Sequence, residues 1–142
     1  MTDADEPKKQ LLAGIEILDP VLTPYGFRFR LESQGEGSGG PFASGSYRQG
    51  DRRLELHFRG SLGLVTYHMG SDSLDHETYL RLLGVHAKAE YPDFPADPLE
   101  SFANLAKDIK THCADFLSGD GQSFHSLADT LAKNPSLFKG VP

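Results

Sequence analysis

The chain offers six histidines, one cysteine and the stretch GSDSLDHETY, where serine, aspartate, histidine and glutamate crowd together. These are the side chains that could move a proton, attack a carbonyl or hold a metal. His57, His68, His76, His86, His112 and His125 form no HExxH pair, and none has a nearby carboxylate at a known ligand spacing, so no metal site is expected. Cys113 falls on an apolar helical stripe, where a thiol packs as a small hydrophobe rather than acting as a nucleophile. In GSDSLDHETY, Ser71, Asp72 and Ser73 read as caps for a helix over residues 74–83. His76 and Glu77 would then lie in the first turn, where a carboxylate meets the positive end of the helix. No catalytic group and no cofactor follows from these residues.

The arginines are more telling. Six of the seven lie between Arg28 and Arg59, in a chain of net charge −6. Residues 1–70 balance eight cations against nine anions, whereas residues 71–142 hold six against eleven. Such an acidic protein is a poor general ligand for nucleic acid, because phosphate repulsion opposes all but one orientation.

Positioning those arginines requires strands. Residues 27–33 alternate Phe27, Phe29 and Leu31 with Arg28, Arg30 and Glu32, the period of a half-buried strand. QGEGSGG then interrupts the pattern. It lacks the Gly-Lys-Ser/Thr ending of a phosphate loop and leads into another strand, so it reads as a mobile hairpin tip. A second strand over 42–49 ends at the turn pair Gly50-Asp51, and a third over 53–59 alternates Leu54, Leu56 and Phe58 with charged residues. Gly60-Ser61 fits a two-residue turn whose first position needs positive φ. The register that follows sets Phe58 opposite Gly63, Leu56 opposite Val65 and Leu54 opposite Tyr67, gathering the apolar side chains on one face. Ala43, Gly45 and Tyr47 join them, the small residues leaving room for a helix to pack closely.

The opposite face then carries Arg28, Arg30, Ser44, Ser46, Arg48, Arg53, Glu55, His57 and Arg59. From the fourth strand it adds Leu62, Leu64, Thr66 and His68. Five arginines against Glu32 and Glu55 leave about +3 there. One reading is an open face held by cross-strand ion pairs, each contributing a few tenths of a kcal/mol. Another is a docking surface for an acidic partner, with Phe42, Leu62 and Leu64 as apolar anchors among the arginines. A third is that a helix or a second subunit covers the face, the latter as a homodimer, and a fourth is a small-ligand, phosphate or enzyme site using the arginines with His57 and His68.

Helices account for the rest. Pro7 suits the first position of a helix over 7–18, which Pro20 and Pro24 discourage from continuing. Asp97, Pro98 and Glu100 mark the start of a long helix whose stripe is Leu99, Phe102, Ala106, Ile109, Cys113 and Phe116, with Gly119 as its stop. A last helix over 123–133 ends at Asn134-Pro135. No apolar run approaches the ~20 residues that span a bilayer, and the polar N-terminus lacks a signal-peptide core, so a cytoplasmic location is expected. A lone cysteine agrees with a reducing compartment.

YGFRF, SLGLVTYHMG and YPDFPADPLESFANLAKDIK, in the order helix, meander, helices, resemble small bacterial α+β domains, some of them similar to immunity proteins encoded beside secreted toxins. That resemblance implies occlusion of a toxin's active site by an acidic surface, for which Asp72, Asp75, Glu77, Asp108 and Asp115 are the candidates. The expectation is therefore a single α+β domain over residues 1–142, with flexible tails at 1–6 and 136–142. Its N-terminal helix precedes a four-stranded antiparallel meander and three helices, at least one of them packed on a sheet face. The function expected is non-catalytic protein interaction in a bacterial cytoplasm, immunity-like or regulatory.

Overall fold

The computed structural model describes residues 6–37, 40–92 and 96–134. The expected tails lie outside this range except for Glu6, which begins the first helix. Among the described residues the chain is α+β: α1 (Glu6–Leu22), a short 3₁₀ turn, five antiparallel strands, then four α-helices, with a second 3₁₀ turn (His86–Lys88) after the first of them. The strands β1 (Arg28–Gly37), β2 (Gly40–Gln49), β3 (Arg52–Phe58), β4 (Leu62–Met69) and β5 (Asp72–Asp75) pair in sequential order. The helices α2 (His76–Leu82), α3 (Leu99–His112), α4 (Ala114–Leu117) and α5 (Gln122–Lys133) follow.

The fifth strand corrects the expected four. Gly70, at φ 60°, and Ser71 make a tight turn that pairs Met69 with Asp72 and Thr66 with Asp75. Asp72 and Ser73, expected to cap a helix, are therefore strand residues, and Ser71 lies in the turn before them. The cap is Asp75, whose Oδ1 accepts from the Thr78 N–H at 2.8 Å. Gly70-Ser71 repeats the glycine-serine pair at Gly60-Ser61, but a four-residue strand of Asp-Ser-Leu-Asp has little β-propensity to announce it.

The predicted register holds where Leu54 faces Tyr67 and Leu56 faces Val65, and it fails at the hairpin tip. Phe58 pairs with Leu62 rather than Gly63, so Gly63 and Leu64 together oppose His57 in a bulge. The loop is Arg59-Gly60-Ser61, closed by the Arg59 N–H on the Ser61 carbonyl at 3.0 Å. The extra residue turns Leu62 inward, where it is buried, and leaves Leu64 outside at 66% exposure. Leu62, expected on the outer face, belongs to the core.

Three further boundaries move. Strand pairing runs through Gln34–Gly37 and resumes at Gly40, so most of the glycine-rich segment is ladder rather than loop; Ser38 and Gly39 lie outside the described residues. α1 continues past Pro20, which sits exposed in its final turn. The long helix breaks at Cys113 (φ −107°, ψ 33°), yet Cys113 and Phe116 stay buried because the break is a single residue.

The core forms between the apolar sheet face and the helices. Phe102 of α3 stacks on Phe58 at 5.9 Å and lies directly against Gly14 of α1, where a side chain would collide with its ring. Phe116 stacks on Phe27 at 5.5 Å and meets Tyr67 edge-on at 4.9 Å. The Tyr47 hydroxyl reaches Asp19 Oδ1 at 2.7 Å, tying β2 to α1. The room beside Gly45 is taken by the ring of Phe29 from β1, not by a helix.

Candidate functional site

The outer face is ordered by two carboxylates. Glu32 stands where the β1–β2 register slips between Leu31 and Ser33. From there it reaches Arg48 at 2.7 Å and Arg53 at 3.0 Å. Glu55 on β3 lies 3.7 Å from Arg53 and 2.9 Å from His68 Nε2. Between them the Ser46 hydroxyl, fully buried, accepts from Arg53 Nε at 3.2 Å and from Arg48 Nε at 3.4 Å. Burial pushes the Glu32 carboxyl up, but hydrogen bonds from Arg48, Arg53 and Ser46 outweigh it and hold the group below the usual carboxylate range. A shallow recess lined by Arg48, Arg53 and His68 opens beside this network. Arg48, Arg53 and His68 already serve Glu32 and Glu55, and Arg52, which also lines the recess, is turned to the carbonyls of Asp115, Phe116 and Gly119.

The other arginines of the face stand apart. Among the described residues no carboxylate pairs with Arg28, Arg30 or Arg59. Arg28 and Arg30 are exposed on β1. Arg59 lies over the Phe42 ring at 5.4 Å, and that ring stacks on His57 at 5.5 Å. His57 and His68 do not converge: one stacks on Phe42, the other bonds Glu55.

The candidate acidic surface disperses. Asp108 is buried at 1% exposure and is not a surface group. Asp115 is half-buried and accepts from the Gly121 and Phe124 N–H groups at 3.2 and 3.0 Å, which fixes the start of α5. Asp72 pairs with His125 at 2.6 Å, Asp75 caps α2, and Glu77 lies near His86 and Arg81.

Asp108 instead anchors a buried polar chain that sequence reading missed. Its Oδ2 lies 2.9 Å from His76 Nε2 and accepts from the Tyr91 N–H at 2.9 Å, while Oδ1 accepts from the Glu90 N–H at 2.8 Å. The opposite imidazole nitrogen, Nδ1, is 2.6 Å from the Tyr67 hydroxyl, which lies 3.7 Å from Cys113 Sγ. Burial raises the Asp108 carboxyl, but His76 and the two N–H groups more than offset that and hold it low. Burial also raises Tyr67 well above the usual phenol range and pushes the Cys113 thiol up to about 12. In the His76 tautomer that carries its proton on Nε2, the donors run in one direction. Cys113 S–H donates to Tyr67 O, Tyr67 O–H to His76 Nδ1, and His76 Nε2–H to the carboxylate. Aspartate, histidine and a hydroxyl in line resemble a nucleophilic triad, but Tyr67 is fully buried and burial raises its hydroxyl, which opposes its use as a nucleophile. The Tyr91 hydroxyl extends this polar chain by sharing its one proton between the Leu62 carbonyl, at 2.9 Å, and the Gly63 carbonyl, at the β4 bulge.

Arg52 is a second residue not singled out from the sequence. It points away from the arginine face and donates to the carbonyls of Asp115 (3.3 Å), Phe116 (2.9 Å) and Gly119, closing the C-terminal end of α4. Among the described residues no cluster of histidine, cysteine and carboxylates could hold a metal ion, and no helix is long and apolar enough to cross a membrane. No protein-family model, curated protein or solved structure matches the chain.

Proposed function

We propose that this chain is a non-catalytic interaction domain that docks an acidic protein through the outer face of its sheet. The observation that carries the reading is the division of the arginines into two sets. Arg48 and Arg53 are consumed by Glu32 and Glu55, whereas among the described residues no carboxylate compensates Arg28, Arg30 or Arg59, in a protein of net charge −6. Leu64, 66% exposed, and the Arg59–Phe42–His57 stack supply apolar and aromatic contact beside that charge. Complementary charge steers encounter and selects the partner, while the buried apolar anchors supply most of the affinity.

An immunity-type role resting on carboxylates gathered along the helices has less support, since Asp108 is interior and Asp72, Asp75 and Asp115 each hold a structural bond. A ligand or enzyme site at Arg48, Arg53 and His68 is weakened by Glu32 and Glu55, which already occupy those cations.

The test is titration of fluorescent poly-L-glutamate into wild type and into a variant carrying R28E, R30E and R59E, which spares the Glu32 network. Binding that weakens with salt and drops at least tenfold in the variant is the expected result. Equal affinity for both proteins would overturn the reading.

A further inference from the structure

We infer that the acidic partner binds as an extended segment added to the open edge of β1, with acidic residues on its outer side and apolar residues on its inner side. This rests on the outer-face reading above and specifies the form of the partner. β1 forms one edge of the sheet and is ten residues long, whereas the opposite edge, β5, has four. A long open edge is a template for strand addition unless something blunts it.

Which backbone groups of that edge are open follows from the ladder. The Gly70 N–H bonds the Asp51 carbonyl at 3.0 Å, so Arg52 and Met69, which lie between, form a pair that exchanges no bonds directly. Between the register shifts, alternation then fixes each pair. Arg52 bonds Gln49, Arg48 turns its backbone toward Arg28, and Ser46 toward Arg30. The N–H and C=O groups of Phe29 and Leu31 must therefore face away from β2. The Phe27 N–H, two residues earlier and pointing the same way, is taken by the Leu22 carbonyl at 3.4 Å. Past that contact, among the described residues, no hydrogen bond reaches the backbone of Phe29 or Leu31 from the open side.

The side chains define the occupant. Arg28 and Arg30 stand on the outer side of this edge, two residues apart and with no carboxylate partner among the described residues; Phe29 and Leu31 are half-buried on the inner side. A strand laid against them places its own side chains directly beside these residues on each face. Acidic residues at alternate positions would meet Arg28 and Arg30, and apolar residues between them would extend the core at Phe29 and Leu31. A second copy of this chain fits poorly. Antiparallel pairing about Phe29 sets Arg28 against Arg30, and pairing about Arg30 sets that arginine against itself. Pairing about Leu31 needs Glu32, which is already bound by Arg48 and Arg53.

The probe is the alternating heptapeptide VEVEVEV, with VKVKVKV as control, added to the isotope-labelled full chain while amide exchange is followed residue by residue. Expected are at least tenfold slower exchange at Phe29 and Leu31 with the glutamate peptide only, and loss of that protection in the R28E/R30E variant. Bound peptide that shifts the resonances of Arg59 and Leu64 but leaves Phe29 and Leu31 exchange unchanged would overturn edge addition and keep the outer-face reading. Binding of neither VEVEVEV nor poly-L-glutamate would overturn both. Phe29 and Leu31 protected without peptide, in a chain that sediments as a dimer, would assign the edge to a second copy and overturn the inference.

Discussion

His76 and Asp108, buried at 2% and 1% exposure and 32 residues apart, meet at 2.9 Å between the helix that follows the sheet and the helix that covers the core. Asp108 also collects the N–H groups of Glu90 and Tyr91, so one carboxylate binds α2, α3 and the segment between them. A buried charge held by three donors stabilises only while it remains ionised.

D108N is accordingly expected to cost about 3 kcal/mol at pH 7, because it removes a buried charge that accepts three hydrogen bonds. The Asp108 carboxyl is lowered in the folded chain. Its contribution is therefore fully present above the unfolded value of ~3.9 and is lost as pH falls through the lower folded value. Urea midpoints of wild type and D108N, measured from pH 7 to pH 2, should converge on the acid side. A gap that stays constant down to pH 2 would show that ionised Asp108 is not what stabilises this cluster.

The β4 bulge makes Leu62 and Leu64 opposites despite their even spacing. L62A should cost about 2–4 kcal/mol, because Leu62 is buried against the core. L64A should stay within about 0.5 kcal/mol, as for other exposed sites. Denaturant unfolding of the two variants checks this, and equal losses would restore the unbulged register.

Arg52 and Arg28 give the same contrast among cations. R52A strands the carbonyls of Asp115, Phe116 and Gly119 and should destabilise by about 2 kcal/mol, typical of hydrogen bonds to a charged group. R28A should leave the melting temperature nearly unchanged, since Arg28 is exposed and holds no carboxylate among the described residues. Thermal melts of the two variants decide it; the reverse order would misplace the structural arginine.

Cys113 should be silent toward a thiol reagent. It is fully buried, and burial pushes its thiol up to about 12. At pH 8 the native chain should react with an aromatic disulfide on the order of a thousandfold slower than an ordinary thiol, and at the ordinary rate in urea. Rapid labelling of the native chain would place Cys113 outside the core.

What the sequence determined by itself is the local part of this architecture. Alternation of apolar and charged residues from Phe27 to Phe58, with Gly50-Asp51 at a turn, dictates which side chains share a face, because the period of a strand is two and the turn links neighbours. The charged outer face was legible for that reason, and so was the apolar stripe that runs through Cys113. Three things were decided only by the tertiary structure. A single extra residue at Gly63-Leu64 reversed Leu62, since a bulge changes the phase of everything beyond it without changing composition. β5 exists because the sheet supplies Thr66–Met69 as a partner, not because Asp-Ser-Leu-Asp favours a strand. Asp108 read as a surface group, as its type usually is, and His76 as a first-turn residue of a helix; only the fold brings them together with the Glu90 and Tyr91 amides and makes their burial favourable.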